Sequence, residues 1–238
     1  MGSSSSVSTI AIDGPAASGK STLGLRLALN LGYLYLDTGV MYRAVTLAAL
    51  EREVPAEDEE TVSEIARKVD IVVRLPTIDD QRQYDVLLDD EDVTWKIRSP
   101  EVDASVSLVS SYPIVRHEMT HIQRRIGLEG KVVMVGRDIG TVVMPEADLK
   151  IYLVASLEER ARRRTLEAQQ RGEAADYEES LRMMRERDRF DSTRELAPLF
   201  QAPDAVVLDT TDMTEDEVLE KGMLLVAQAE SETQNEDS

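Results

Sequence analysis

Gly14-Pro15-Ala16-Ala17-Ser18-Gly19-Lys20-Ser21 is the stretch that decides the fold of this chain. It fits the pattern G-x-x-x-x-G-K-[ST], and it lies between a short apolar run at residues 8–13 and a helical pattern at residues 20–31. Glycines let the backbone turn tightly enough for successive N–H groups to surround phosphate oxygens, and the N-terminus of the following helix adds partial positive charge. The pattern and its position between strand and helix together predict a phosphate-binding loop. Lys20 can reach the β and γ phosphates of a nucleotide, and the Ser21 hydroxyl can face Mg²⁺, directly or through water.

Apolar runs alternate with helical patterns through much of the rest of the chain. The runs are continuously apolar, which is typical of strands buried on both faces of a parallel sheet. The expected strands are residues 8–13, 33–37, 132–135, 149–154 and 205–208. The expected helices are residues 20–31, 41–53, 157–170, 177–189 and 215–229. The sequence therefore predicts an α/β fold, a three-layer sandwich with a five-stranded parallel sheet between helices.

Residues 55–113 follow a different pattern, which indicates an inserted subdomain. An acidic helix comes first, and two strand-like runs, residues 71–75 and 84–88, then flank a polar stretch typical of a hairpin connection. We expect a core formed by residues 9–54 and 114–229, a flexible N-terminus at residues 1–8 and a flexible acidic tail at residues 230–238.

Composition excludes several classes of function. The chain has 238 residues with 46 acidic and 27 basic side chains, a net charge of −19 that disfavours binding to nucleic acid or to an anionic membrane surface. It has no cysteine, which excludes disulfides, cysteine-based zinc sites and a thiol nucleophile. No apolar run approaches the roughly 20 residues of a membrane span, and the N-terminus lacks the features of a secretory signal, so we expect a cytoplasmic protein.

A phosphate-binding loop alone does not identify an activity. The Asn-Lys-x-Asp of GTPases and the strand ending in Asp-Glu of motor ATPases are both absent from the sequence. The strand at residues 132–135 ends instead in Gly136-Arg137-Asp138. An arginine at the carboxyl edge of the sheet, where ligands of open α/β folds bind, suits a second phosphorylated ligand.

Four blocks in order make the chain similar to the bacterial cytidylate kinases, a family of the nucleoside monophosphate kinase class of P-loop kinases. The blocks are residues 10–22 around the loop, 36–43 (Leu-Asp-Thr-Gly-Val-Met-Tyr-Arg), 136–143 (Gly-Arg-Asp-Ile-Gly-Thr-Val-Val), and 187–194 (Arg-Asp-Arg-Phe-Asp-Ser-Thr-Arg) with Ala197-Pro198-Leu199. The resemblance implies transfer of a phosphoryl group from ATP, with Mg²⁺, to CMP or dCMP. It also implies the strand order 2-3-1-4-5, an inserted subdomain that binds the monophosphate, a short lid at about residues 160–187, and a monomer.

The resemblance assigns a set of residues to the acceptor nucleotide. Arginines neutralise phosphate well, because the planar fork meets it bidentately and stays protonated, whereas carboxylates suit sugar hydroxyls or the cytosine amino group. Thr38 stands where the family often has serine and keeps the hydroxyl, and Phe190 stands where relatives are polar or charged. The expected acceptor residues are Asp37, Thr38, Arg43, Ser107, Arg116, Arg137, Asp138, Asp191 and Arg194.

A second set is expected to bind ATP or act in the transfer itself. The cluster of arginines at residues 160–164 lies on a predicted helix, where Arg160 and Arg164 share a face with Arg163 beside them. A solvated basic helix that balances the acidic surface is the alternative for this cluster. The expected catalytic residues are Lys20, Arg137 and Arg187. The expected ATP-binding residues are Gly14, Pro15, Ala16, Ala17, Ser18, Gly19, Lys20, Ser21, Thr22, Arg160 and Arg164.

The only two histidines form a motif that suggests a different class of enzyme. His117-Glu118-Met119-Thr120-His121 matches the H-E-x-x-H of zinc peptidases. The apolar stripe of this helix is formed by Val115, Met119, Ile122 and Ile126, and each histidine lies two positions from a member of it. We therefore expect both histidines to face solvent.

Two alternatives to the expected reaction remain open. Within the kinases, UMP, AMP or a small alcohol are alternative acceptors. Outside the kinases, the alternative is a nucleotide-binding switch.

Overall fold

The chain divides into two compact units, residues 1–33 with 133–238 and residues 34–132. The computed structural model describes residues 7–80, 82–170, 174–193 and 199–236, with only the backbone described at residues 190, 191, 193 and 233–236.

A five-stranded parallel sheet with flanking helices forms the centre of the fold, as predicted. Its strands are β1 (Thr9–Asp13), β2 (Leu34–Asp37), β6 (Val132–Val135), β7 (Leu149–Val154) and β8 (Val206–Asp209). The order across the sheet is β2-β6-β1-β7-β8, which confirms the order 2-3-1-4-5 that the resemblance implied. In the register of β1 with β7, Ile10 pairs with Leu149 and Asp13 with Tyr152.

Burial explains why these segments form strands. Every residue of β1 and of β6 is buried, and this suits runs of Ile, Val, Ala and Met that have no polar face. The described part of the first unit also contains four helices and one π-helical turn, Ile139–Val143. The helices are α1 (Lys20–Leu31), α6 (Leu157–Gln170), α7 (Tyr177–Thr193) and α8 (Glu215–Glu236).

The second unit combines four helices with a small antiparallel sheet. Its strands are β3 (Ile71–Arg74), β4 (Asp85–Leu88) and β5 (Glu91–Asp92), which pair in that order, and the pairing of Val73 with Val86 confirms the predicted hairpin. Besides this sheet and β2, the described part of the unit contains α2 (Gly39–Glu51), α3 (Glu59–Lys68), a 3-10 turn (Lys96–Arg98), α4 (Pro100–Val109) and α5 (Pro113–Glu129). The starts of α3 and α4 follow ordinary capping chemistry, because Asp58 and Ser99 accept hydrogen bonds from the amides of Thr61 and Val102.

The last helix is longer than expected. The apolar periodicity ends near Ala229, whereas α8 continues to Glu236. No glycine or proline follows Gly222, and the Glu, Gln and Ala residues there favour a helix, so nothing in the local sequence ends it earlier. The flexibility of residues 230–238 stays a prediction. None of the helices in the described part of the chain has the length and apolar character that a membrane span requires.

The contact of α8 with α1 provides a test of core packing. A Cβ atom on Gly222 would lie 2.8 Å from Cδ1 of Leu23 and 3.4 Å from Cδ2 of Leu27. We expect Gly222→Val to lower the free energy of unfolding by about 1–3 kcal/mol through overpacking. Urea denaturation measures it, with Lys221→Val as the matched control, because Lys221 is an exposed neighbour in the same helix. Equal stability of the two variants would contradict the packing described here.

Candidate functional site

The phosphate-binding loop is held closely against the sheet. Gly14 has a φ of 147°, and a Cβ atom there would lie 2.1 Å from the carbonyl oxygen of Leu153 in β7. Only glycine fits so near a backbone oxygen. Gly19 has a φ of 96° and caps α1, so the loop passes directly into the helix N-terminus. The predicted strand, loop and helix therefore occur in the order that phosphate binding needs.

Lys20 lies inside the loop that it is expected to serve. Its side chain is buried, with 7% of the residue exposed, and Nζ donates a hydrogen bond of 2.6 Å to the carbonyl oxygen of Pro15. The ammonium is thus held over the loop backbone, where phosphate oxygens would replace a neutral carbonyl. Ser21 is exposed and Thr22 half-buried in the first turn of α1.

Thr210 contacts the phosphate-binding loop and Arg163 contacts Thr210. Thr210 was not expected from the sequence. The Thr210 hydroxyl donates to the carbonyl oxygen of Ser18 at 3.0 Å, and the Arg163 guanidinium donates to Thr210 Oγ1 at 3.1 Å. Thr210 directly follows β8, at the same carboxyl edge as the loop. That position was the signal that could have identified it.

Arg160 is the buried member of the arginine cluster. Only 4% of it is exposed, and its guanidinium forms a bidentate ion pair with Asp188 of α7, at 2.9 and 2.5 Å. It also donates to the carbonyl oxygens of Ala16 and Ala155, at 3.3 and 3.1 Å. Arg160 thereby connects the phosphate-binding loop, the start of α6 and α7.

The other expected lid residues lie elsewhere. The Arg164 side chain is 46% exposed and pairs with Glu167 at 3.1 Å, so Arg160 and Arg164 differ in burial although they share a helical face. Arg163 contacts Glu159 at 2.8 Å as well as Thr210. Arg187 is exposed on α7 beside Asp188. The structure therefore brings Arg160 and Arg163 to the loop, and it leaves Arg164 paired along its own helix.

Arg137 lies directly against the phosphate-binding loop. Its Nη1 donates a hydrogen bond of 3.1 Å to the carbonyl oxygen of Gly14. Asp138, next in the chain, is buried. The carboxylate of Asp13 accepts hydrogen bonds from the amides of Ile139 and Gly140. Desolvation by burial raises the pKa of Asp13 to about 6, against the lowering effect of these amides.

Residues 34–132 contain several of the remaining residues expected to bind the acceptor. Arg43 of α2 donates to the carbonyl oxygen of Ile97 at 3.1 Å and pairs with Asp103 of α4 at 2.6 Å. Ser107 is exposed one turn after Asp103 on the same helix. The Arg116 guanidinium is buried over the Tyr42 ring, 5.5 Å from its centroid. Asp103 is a partner that the sequence analysis did not identify.

The end of β2 places two more of the expected residues. Asp37 Oδ1 accepts a hydrogen bond of 3.0 Å from the amide of Gly39, and Thr38 is buried at the start of α2. Tyr84 lies near Asp37, and burial raises its pKa to about 12. The Arg98 guanidinium donates to the Tyr84 hydroxyl at 2.8 Å. Tyr84 and Arg98 were not expected from the sequence. Tyr84 directly precedes β4 and Arg98 ends the 3-10 turn, and neither belongs to a distinctive motif.

Two expected residues cannot be placed. The Asp191 side chain and Arg194 lie outside the described residues. The two histidines, by contrast, are described: His117 and His121 are both exposed on α5, which confirms the prediction made from the apolar stripe. Within the described ranges, no group of three or more His, Asp or Glu side chains is arranged to hold a metal ion.

The donor set at the loop fits Mg²⁺ bound chiefly through a nucleotide. Mg²⁺ usually keeps several waters and takes one or two protein ligands beside substrate phosphates. The Ser21 hydroxyl, exposed in the first turn of α1, has the chemistry of such a ligand. Ser21 is therefore the residue that would hold the ion.

The geometry of Lys20 yields a direct test. We expect Lys20→Ala to lower kcat for phosphoryl transfer at least about 100-fold, because a cation directed at the transferred phosphate is lost. Circular dichroism should report an intact fold, since the Nζ atom bonds the loop and not the core. Turnover above a few per cent of the wild-type value in a folded variant would contradict the role of Lys20.

Comparisons with known proteins agree with the geometry of the loop. The family model of cytidylate kinase matches residues 10–228. The cytidylate kinase of Chloroflexus aggregans is 55% identical over 207 residues, which cover 87% of this chain and 88% of the relative. That of Caldanaerobacter subterraneus is 50% identical over 212 residues, with 89% and 91% covered. That of Limosilactobacillus reuteri is 47% identical over 224 residues, with 94% and 96% covered. The chain belongs to the cytidylate kinase family.

Proposed function

We propose that this protein transfers the γ-phosphoryl group of ATP to CMP or dCMP, giving ADP and CDP or dCDP. The contact of Arg137 with the carbonyl oxygen of Gly14 carries the proposal, together with family membership. This contact places the guanidinium of Arg137, which comes from outside the phosphate-binding loop, directly against the loop. A second phosphate bound by Arg137 would therefore meet the phosphates of ATP.

The loop and Lys20 bind the donor in this mechanism. Backbone amides between Gly14 and Gly19 and the N-terminus of α1 surround the phosphates, and Lys20 exchanges its bond to Pro15 for phosphate oxygens. Ser21 would hold Mg²⁺ together with the nucleotide phosphates, and the ion would supply further charge neutralisation there. Thr210 and Arg160 keep the loop backbone in place through the carbonyl oxygens of Ser18 and Ala16.

Charge neutralisation is the main task on the acceptor side. Two nucleotides carry about six negative charges, whose repulsion must be offset before oxygen attacks phosphorus. Arg43, Arg116 and Arg137 take the acceptor phosphate, and Ser107 with Thr38 adds hydroxyls. Asp138 and Asp191 are assigned to the sugar and base, with Arg194 orienting Asp191 or the nucleotide, and Asp37 contributes to the same monophosphate site. No general base is needed, because phosphoryl transfer depends mostly on positioning and charge stabilisation.

The setting of the reaction is part of the proposal. The strongly acidic composition and the absence of cysteine support a cytoplasmic enzyme with small-molecule partners and no role on nucleic acid or membranes. We propose that it acts as a monomer, because the residues assigned to both nucleotides come from one chain.

The nature of the acceptor can be tested by coupled measurement of ADP release. ATP is supplied alone and then with CMP, dCMP, UMP or AMP at the same concentration. We expect ADP release to be at least about 100-fold faster with CMP or dCMP than without an acceptor, because a water-exposed γ phosphate lacks the bound nucleophile. Hydrolysis of ATP or GTP at a similar rate without an acceptor would favour a nucleotide switch instead. Faster release with UMP or AMP would change the acceptor and keep the reaction class.

Arg137 separates the two nucleotide sites. We expect Arg137→Met to reduce kcat/KM for CMP about 100-fold or more through loss of a charge-stabilising donor. The affinity for ATP measured without CMP should change little. Arg182→Met is the matched control, since Arg182 is exposed on α7 and pairs only along its helix with Glu179 among the contacts described. A loss of ATP affinity as large as the loss of CMP turnover would move Arg137 to the donor site.

A further inference from the structure

Asp13, the last residue of β1, is a buried carboxylate that the mechanism above does not use. Only 5% of it is exposed. Its Oδ1 accepts a hydrogen bond of 2.8 Å from the amide of Ile139, and its Oδ2 accepts one of 2.7 Å from the amide of Gly140. Both oxygens are therefore engaged by one turn of backbone.

That turn begins immediately after Arg137 and Asp138. The π-helical turn starts at Ile139, so the amides bound by Asp13 fix the backbone that follows the arginine. Gly14, the residue after Asp13, accepts the hydrogen bond from the Arg137 guanidinium. Two consecutive residues thus contact Arg137 and the turn that follows it, Gly14 through the arginine side chain and Asp13 through the backbone of the turn.

We propose that Asp13 is a positioning residue, which holds Arg137 against the phosphate-binding loop through its two backbone hydrogen bonds. The proposal rests on the proposed function in one respect, namely that Arg137 binds the acceptor phosphate. Asp13 itself contacts no substrate in this account and acts through the backbone of the turn.

The chemistry of the contact requires an ionised carboxylate. Two N–H groups approach two different oxygens, and only the carboxylate offers two acceptors without a competing hydrogen. An asparagine side chain or a protonated carboxyl would direct a donor towards one of the two amides. The same geometry that makes Asp13 effective therefore makes it sensitive to its protonation state.

The charged groups around Asp13 come from three elements. Lys20 of α1 favours the ionised form, Asp138 directly before the π-helical turn disfavours it, and Tyr152 of β7 is the register partner of Asp13. The stem of Lys150 lies beside Gly140, and its Nζ is engaged by Asp204 and by Pro145. Burial outweighs the favourable contributions, and the pKa of Asp13 rises to about 6.

The direction of this pKa shift argues against a purely stabilising role. The pKa of Asp13 in the folded state lies above its ordinary value of 3.8. The stability that Asp13 contributes is therefore fully present at pH values below 3.8 and is lost as the pH rises through about 6. At neutral pH the ionised group therefore opposes folding relative to its protonated form. A charge that lowers the stability of the folded protein at neutral pH is consistent with a role of Asp13 in positioning Arg137.

Asp13→Asn tests the proposal in the full-length protein. We expect kcat/KM for CMP at pH 8 to fall about 10- to 100-fold, because the turn that carries Arg137 loses one of its two supports. The dissociation constant for ATP without CMP should stay within about 3-fold, since the loop backbone keeps its contacts to Thr210 and Arg160.

The pH dependence of kcat/KM distinguishes a positioning role of Asp13 from a purely structural one, because a purely structural role would not change it. The ratio of wild-type to Asp13→Asn kcat/KM should be constant above pH 7 and should fall as the pH decreases through about 6. The acceptor phosphate titrates in the same range, and taking the ratio cancels its contribution. A ratio that does not change with pH would overturn the proposal.

Asp148→Asn is the matched control. Asp148 also accepts hydrogen bonds from two backbone amides, those of Ser8 and Thr9, both at 2.8 Å. It does so at the start of β1, whereas Asp13 lies at the end of the same strand. We expect its kinetics to match the wild type at every pH. A CMP-specific loss equal to that of Asp13→Asn would show a general effect of amide support and would overturn the proposal.

A double variant tests whether Asp13 acts through Arg137. In an Arg137→Met background, Asp13→Asn should reduce kcat/KM less than about 2-fold further, because the side chain that it positions is gone. Full additivity would overturn the proposal. Failure of the proposed function is a separate result, since it would appear as absent CMP phosphorylation by the wild type.

Gly140→Ala tests the same contact if Asp13→Asn does not fold. A Cβ atom at residue 140 would lie 3.1 Å from Cδ of Lys150 and 3.4 Å from Oδ2 of Asp13, so it crowds the turn without removing a charge. We expect a CMP-specific loss with ATP affinity retained. Wild-type kinetics for a folded Gly140→Ala would overturn the proposal.

Discussion

The approach of Gly14 to the carbonyl oxygen of Leu153 is the constraint on which the site depends. Because a Cβ atom would lie 2.1 Å from that oxygen, the loop can pass over β7 only with glycine at this position. The carbonyl of Gly14 is then available to Arg137, and the side chain of Asp13 is directed at the turn after it. One close backbone contact thus sets both the entry of the phosphate-binding loop and the position of the arginine from the neighbouring strand.

Electrostatics imposes the second constraint, since a chain with a net charge of −19 must bind two anions. Lys20 is buried and Arg137 is half-buried, and both side chains lie close to oxygen atoms of the protein backbone. Lys20 and Arg137 contact neutral carbonyls of Pro15 and Gly14, which a phosphate can replace with a gain in charge attraction. An acidic surface is compatible with this arrangement, because the positive charge is concentrated where the backbone amides of the loop already favour anions.

The sequence predicted the loop, the five strands, their helices and the hairpin, since these depend on local patterns of glycine, apolar residues and turns. It did not predict Asp103, Thr210 or the contact of Asp13 with Ile139 and Gly140. Those partners are separated from the residues they contact by long stretches of chain, and only the packing of helices and strands in the folded protein brings them together. The helical periodicity places Arg160 and Arg164 on one face of α6. It could not indicate that Arg160 is buried and pairs with Asp188, whereas Arg164 pairs with Glu167.

The arginines differ in how readily they can change partners, and this difference orders their roles. Arg43 and Asp103 form an ion pair whose side chains are 30% and 57% exposed, and such pairs contribute little, so a phosphate dianion can displace the carboxylate. Arg160 is buried, bidentate with Asp188 and bound to two carbonyls, and breaking that set would leave a buried charge unpaired. The proposed roles follow from this difference: Arg43 can exchange its carboxylate partner for a nucleotide phosphate, whereas Arg160 supports the backbone of the phosphate-binding loop. The same cation chemistry serves binding in one unit and support in the other because burial, and not charge, sets the cost of exchange.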